Sequence, residues 1–142
     1  MMASPALCTL VCFAALTALL AFTYANYRVA LVLTGKAAPN AWTRDAQTWA
    51  DPAFITRLKH AHLNCVESLP VYAALVLAAY ATNQLAIIDG LAYVFLGLRV
   101  GQVLLHAIST SSSVVFVRAN LWIAQCLIIG YWVLQLCGVI TA

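Results

Sequence analysis

Four stretches of this chain, at about 5–33, 53–82, 85–108 and 114–140, are mostly apolar, and each exceeds the roughly 20 residues that a helix needs to cross a bilayer. Only short polar joins separate them. With 65% hydrophobic and 8% charged residues in a length of 142, the composition lies far from that of a soluble domain, where about 25% charged is usual. The sequence predicts an all-α integral membrane protein, a single four-span bundle covering 1–142. The net charge of +3 follows from cations clustered on one face of a bilayer, and no nucleic-acid partner is needed to explain it.

The joins have chemical reasons. Gly35 and Pro39-Asn40 break the first span, and Asp51-Pro52 reads as an N-cap and a first-turn proline for the second. Asn83-Gln84 makes a tight turn between spans two and three, and the run Ser109-Thr110-Ser111-Ser112-Ser113 separates three from four. All seven basic residues, Arg28, Lys36, Arg44, Arg57, Lys59, Arg99 and Arg118, flank the first and third joins. The positive-inside rule puts those joins in the cytoplasm and both termini on the other side, an arrangement expected here for a bacterial inner membrane. The N-terminal apolar run lacks a basic n-region and is long enough to span, so it reads as a retained helix rather than a signal peptide.

Span two contains an anomaly. Arg57, His60, Asn64 and Glu67 stand 3, 4 and 3 residues apart, which puts them in one stripe roughly 80° wide on a helix. Polar groups in hydrocarbon are costly and mark sites. The stripe continues through Val71, Ala74 and Ala78, which suit close packing against another helix. Span three repeats the pattern with Arg99, Gln102 and His106, continued by Ser109. Arg118 opens span four and Arg28 lies near the end of span one. This excess of positive charge around the embedded acid Glu67 calls for an anionic ligand.

Blander roles compete for individual residues. Arg28, Lys36, Arg44 and Lys59 at span ends suit snorkelling anchors. Glu67 equally suits an internal ion pair with Arg57 or His60. His62 points away from the Asn64 stripe. The cysteines Cys8, Cys12, Cys65, Cys126 and Cys137 lie in apolar spans without paired spacing, and read as small hydrophobes. No metal site is expected.

The run Arg57-x-x-His60-Ala61-His62-Leu63-Asn64-x-x-Glu67-x-x-Pro70 resembles the second-helix signature of the MAPEG family, the membrane-associated proteins in eicosanoid and glutathione metabolism. Chain length, four spans, the position of Arg28 and the Arg99-x-x-Gln102 step fit as well, so the resemblance covers nearly the whole chain. It implies a homotrimer with glutathione bound in clefts between subunits, and a transferase or peroxidase acting on a lipophilic substrate from the membrane lipid. Carried over residue by residue, Arg28, Arg57, His60, Asn64, Glu67, Arg99 and Gln102 would bind glutathione. Arg118 would favour its thiolate, with His106 as second candidate.

His60 stands where many members have a second arginine, and His106 where eicosanoid-synthesising members carry tyrosine. The serine-rich join before Arg118 is also longer than theirs. Two alternatives therefore stay open: a non-catalytic lipid-binding scaffold of the same fold and, further off, a small proton-coupled exporter. The latter usually carries its acid in span one, which here has none.

Overall fold

The computed structural model describes residues 4–43 and 48–140; Arg44, one of the expected anchors, lies outside them. Four helices make up the fold: α1 Pro5–Leu33, α2 Ala53–Ala81, α3 Leu85–Ile108 and α4 Ser112–Leu136. Each is long and apolar enough to cross a membrane, and among the described residues there is no strand. The chain is a multi-pass integral membrane protein.

The helix ends show how local chemistry divides the chain. Helices α1, α2 and α4 all end in a left-handed residue: Gly35 (φ 68°), Asn83 (φ 57°) and Gly138 (φ 70°). In each case the amide after that residue bonds back to the helix, Lys36 N to Leu31 O, Gln84 N to Ala79 O and Val139 N to Leu134 O, at 2.9, 2.7 and 2.9 Å. This geometry satisfies carbonyls that a helix end leaves free, and a side chain with a Cβ adopts it reluctantly. Gly138 explains why α4 ends at Leu136 rather than at 140, the boundary expected from hydropathy alone. The serine run is shorter than it reads, because α4 already begins at Ser112.

The start of α2 differs from expectation. Pro52 is the N-cap, no side chain caps that end, and Asp51 is not the capping group. Its carboxylate instead pairs with Arg28 and accepts a 2.8 Å hydrogen bond from Trp42 Nε1. An arginine and an indole N–H in reach outcompete the weak backbone donors of the first turn.

Two long-range contacts set the order of the ends. At one end the Asp89 carboxylate on α3 accepts from Ser4 Oγ and from Ala6 N, the latter at 2.8 Å, and so caps α1 from outside. At the other, Arg57 Nε on α2 donates to Ala107 O near the end of α3 at 2.8 Å. The first and third joins therefore share one end of the bundle.

Each helix supplies one ring to the core. Phe13, Tyr72, Phe95 and Trp132 are all fully buried, and Tyr72 stacks on Phe95 with centroids 4.5 Å apart and on Trp132 at 5.7 Å. Phe13 meets the edge of Phe95 at 6.3 Å. Lipid tails are as apolar as these rings, so close packing rather than exclusion of water holds them together. The Tyr72 hydroxyl is satisfied by Thr9 Oγ1 at 2.6 Å. Helices α1, α2 and α3 pack on one another, whereas α4 leans on α3 and touches α2 only slightly. A groove is left between α2 and α4, with α3 as its floor.

Candidate functional site

The α2 stripe faces that groove with its middle part. Asn64 and Glu67 line a cleft of about 320 Å³ together with Gln102 from α3 and Arg118 and Trp122 from α4. A second cleft of about 330 Å³ adjoins it and shares Glu67 and Trp122. Its other walls include Arg99, Gln125 and Cys126. Both volumes lie at the lower end of the about 300–1,000 Å³ usual for ligand sites.

A polar network crosses the bundle beneath the clefts. Gln102 Oε1 accepts from Arg99 Nη1 at 3.0 Å and from Gln125 Nε2 at 3.2 Å, so one oxygen ties α3 to α4. Arg99 Nη1 also reaches Asn64 O at 3.5 Å, and Ser68 Oγ donates to the same carbonyl at 3.0 Å. Pro70 lies one turn further along α2 and has no N–H to offer Val66 O, so the helix ladder is interrupted close to this site. Arg99 is 1% exposed, with its guanidinium carbon 5.3 Å from the Phe13 ring centroid. A cation so deeply placed needs such partners.

The expected site residues divide into three groups. Asn64, Glu67, Gln102, Arg99 and Arg118 meet at the α2–α4 groove. Arg57, His60 and His106 sit beside it: Arg57 holds the α3 carbonyl, His60 is exposed, and His106 lies 6.2 Å from His60 between ring centroids. His106 is 5% exposed and its Nδ1 lies 3.3 Å from Asn64 Nδ2. Arg28 stands apart. It pairs with Asp51, with its guanidinium carbon 5.5 Å from the Tyr24 ring and 5.1 Å from Trp42, in a separate, largely apolar cavity of about 570 Å³.

The bland roles also resolve. Among the described residues the one ion pair is Arg28 with Asp51, so Glu67 is not held by Arg57 or His60. His62 turns to α1, where its Nδ1 meets the Tyr24 hydroxyl at 3.2 Å. Gln125 and Trp122 are among the groove residues that the sequence pattern passed over. An amide in the middle of an apolar span was the available signal for Gln125, and it is 1% exposed. Nothing in periodicity distinguishes Trp122 from a lipid-facing tryptophan.

Searches of curated proteins and of solved structures gave no match to this chain. A family comparison did, and it spans α1 to the end of α4. With residues 6–138 matching the MAPEG family, the chain belongs to that family.

Proposed function

We propose that the protein is a membrane-embedded glutathione transferase or peroxidase whose site is the groove between α2 and α4. The donor set of the 320 Å³ cleft carries this reading: one carboxylate, one guanidinium and two amides, from Glu67, Arg118, Asn64 and Gln102. Glutathione presents a free ammonium, two carboxylates and two amides. Glu67 matches the ammonium, Arg118 a carboxylate or the thiolate, and the two amide side chains match the peptide links. Family membership supports the same class of activity.

Glutathione supplies the nucleophilic thiol when it is bound. Arg118 holds positive charge in the cleft wall, where a thiolate is stabilised. Val115, Ala119 and Trp122 make the α4 side of the cleft apolar, and an electrophile or hydroperoxide dissolved in lipid enters along them.

In this reading three copies assemble. The α2 residues Val71, Ala74 and Ala78 are exposed on a single chain and offer a close-packing face. Arg28, in its separate cavity, then serves the groove of a neighbouring copy, with Arg57 and His60 at the rim. The basic joins face the cytoplasm and both termini the opposite side.

One observation favours a second reading, a lipid-binding scaffold without catalysis. His106 is buried and bonded to Asn64, so Arg118 remains as the single cation proposed to favour the thiolate.

Equilibrium binding of glutathione, followed by thiolate absorbance near neutral pH, separates the two. Saturable binding with a thiolate signal that disappears in Arg118→Ala is the expected result. Absence of binding at millimolar glutathione overturns the transferase reading in favour of the scaffold.

A further inference from the structure

The polar network beneath the clefts has a fixed polarity. A guanidinium carries no acceptor, so the Gln102 atom 3.0 Å from Arg99 Nη1 is the amide oxygen. Gln125 meets that same oxygen at 3.2 Å and must donate to it from Nε2, which also donates to Leu121 O at 3.0 Å, one turn back on α4. Gln102 Oε1 thus holds two donors, which fill its two lone pairs. Gln102 Nε2 bonds to nothing among the described residues, yet it is not one of their enclosed unpartnered atoms, so it is the open end of the side chain. Gln102 lines the 320 Å³ cleft with Asn64, Glu67 and Arg118, and what it offers there is an N–H donor.

We propose that Gln125 is a positioning residue for the groove: from α4, and together with Arg99, it holds Gln102 as a fixed hydrogen-bond donor to an acceptor oxygen of bound glutathione. The proposal rests on the reading of the groove as a glutathione site. Gln125 and Arg99 are each 1% exposed, so they act on a ligand through Gln102.

They do so in two ways. Turning the Gln102 amide over would set its NH2 group against the Arg99 guanidinium and the Gln125 NH2 group, leaving three buried donors without an acceptor, so the orientation is locked. Two donors on one amide oxygen also polarise the N–H bonds at the other end of the amide and strengthen them toward an acceptor. Arg99 belongs to the same helix as Gln102, whereas Gln125 belongs to the helix that forms the far wall of the groove. Gln125 therefore couples the placement of α4, which carries Arg118, to the donor on α3.

The test is a double-mutant cycle on the purified full chain in detergent, with Gln125→Met, Gln102→Met and the two combined. Methionine keeps the length of the side chain and removes the amide. Glutathione binding isotherms, thiolate absorbance and thermal unfolding are read on each sample. Either single change should weaken glutathione binding about tenfold while the thiolate absorbance at saturation persists. The double variant should bind no more weakly than Gln102→Met alone, because the contribution of Gln125 passes through Gln102. If Gln125→Met does not fold, Gln125→Asn, which draws the amide back by one methylene, takes its place in the cycle. A shift in unfolding with affinity unchanged in the Gln125 variant, or a double variant that loses the sum of the two single effects, overturns the proposal and leaves the groove a glutathione site. If the unmodified protein binds no glutathione at millimolar concentration, both the groove reading and the proposal fall.

Discussion

Asn64 on α2 and His106 on α3 are joined by a hydrogen bond of 3.3 Å between Nδ2 and Nδ1. An amide nitrogen only donates, so the imidazole accepts at Nδ1 and carries its proton on Nε2. This bond holds the Asn64 amide, which lines the cleft proposed for glutathione. In the proposed reading His106 is then a positioning residue that acts through Asn64.

Replacing His106→Phe keeps the ring and removes the acceptor. A loss of about 1–3 kcal/mol of stability is expected from the stranded amide, with weaker glutathione binding and a thiolate signal that persists at saturation. Thermal unfolding and binding isotherms on the same sample read both. Loss of the thiolate signal with affinity intact would reassign His106 to the chemistry.

Arg118→Ala should behave in the opposite way. Arg118 lines the cleft and its Nε has no partner among the described residues, so unfolding should shift by less than about 0.5 kcal/mol. The thiolate absorbance should vanish, and Arg118→Lys should restore it only in part, since a lysine keeps the charge but not the planar fork. A large stability loss in Arg118→Ala would mark the residue as structural.

Asp51→Asn tests the clamp on Arg28. The Asp51 side chain is 7% exposed and serves both Arg28 and Trp42, so about 2 kcal/mol of stability should be lost. Tryptophan fluorescence reports the release of Trp42. Unchanged unfolding and emission would show that the clamp contributes nothing measurable.

Asp89→Asn removes the charge that caps α1 from α3. A cost of about 1 kcal/mol is expected, with faster hydrogen exchange confined to the first turn of α1. Exchange that rises throughout α1 would indicate a wider packing role.

The oligomer has its own test. Mass measurement of the detergent complex should give three chains, and Ala74→Leu, on the exposed α2 stripe, should shift the population toward the monomer. A monomer in several mild detergents would remove the shared-cleft arrangement.

Much of the fold was legible along the chain. Helices α1 and α3 occupy the bounds expected from hydropathy, since a bilayer sets span length and the first two joins each contain a left-handed residue that stops a helix. The stripe Arg57, His60, Asn64 and Glu67 was legible for the same kind of reason, because helical period alone puts those positions on one face. Asp51 was misread because an Asp-Pro step resembles a cap, and the arginine that claims its carboxylate lies 23 positions away. Asp89, an acid near the start of α3, similarly gained its role from Ser4 and Ala6 at the far end of the sequence.

Period and hydrophobic length thus dictated four spans and the face on which the polar groups sit, because these depend on neighbours a few residues apart. Which groups meet was decided by packing. That Gln125 shares an oxygen of Gln102 with Arg99, that His106 supports Asn64, and that α4 stands off α2 to leave a groove beside Cys126 all follow from how the helices lean on one another. In lipid no hydrophobic gradient selects one helix face over another. Ring packing and interhelical hydrogen bonds make that choice, and both exist only once the bundle has formed.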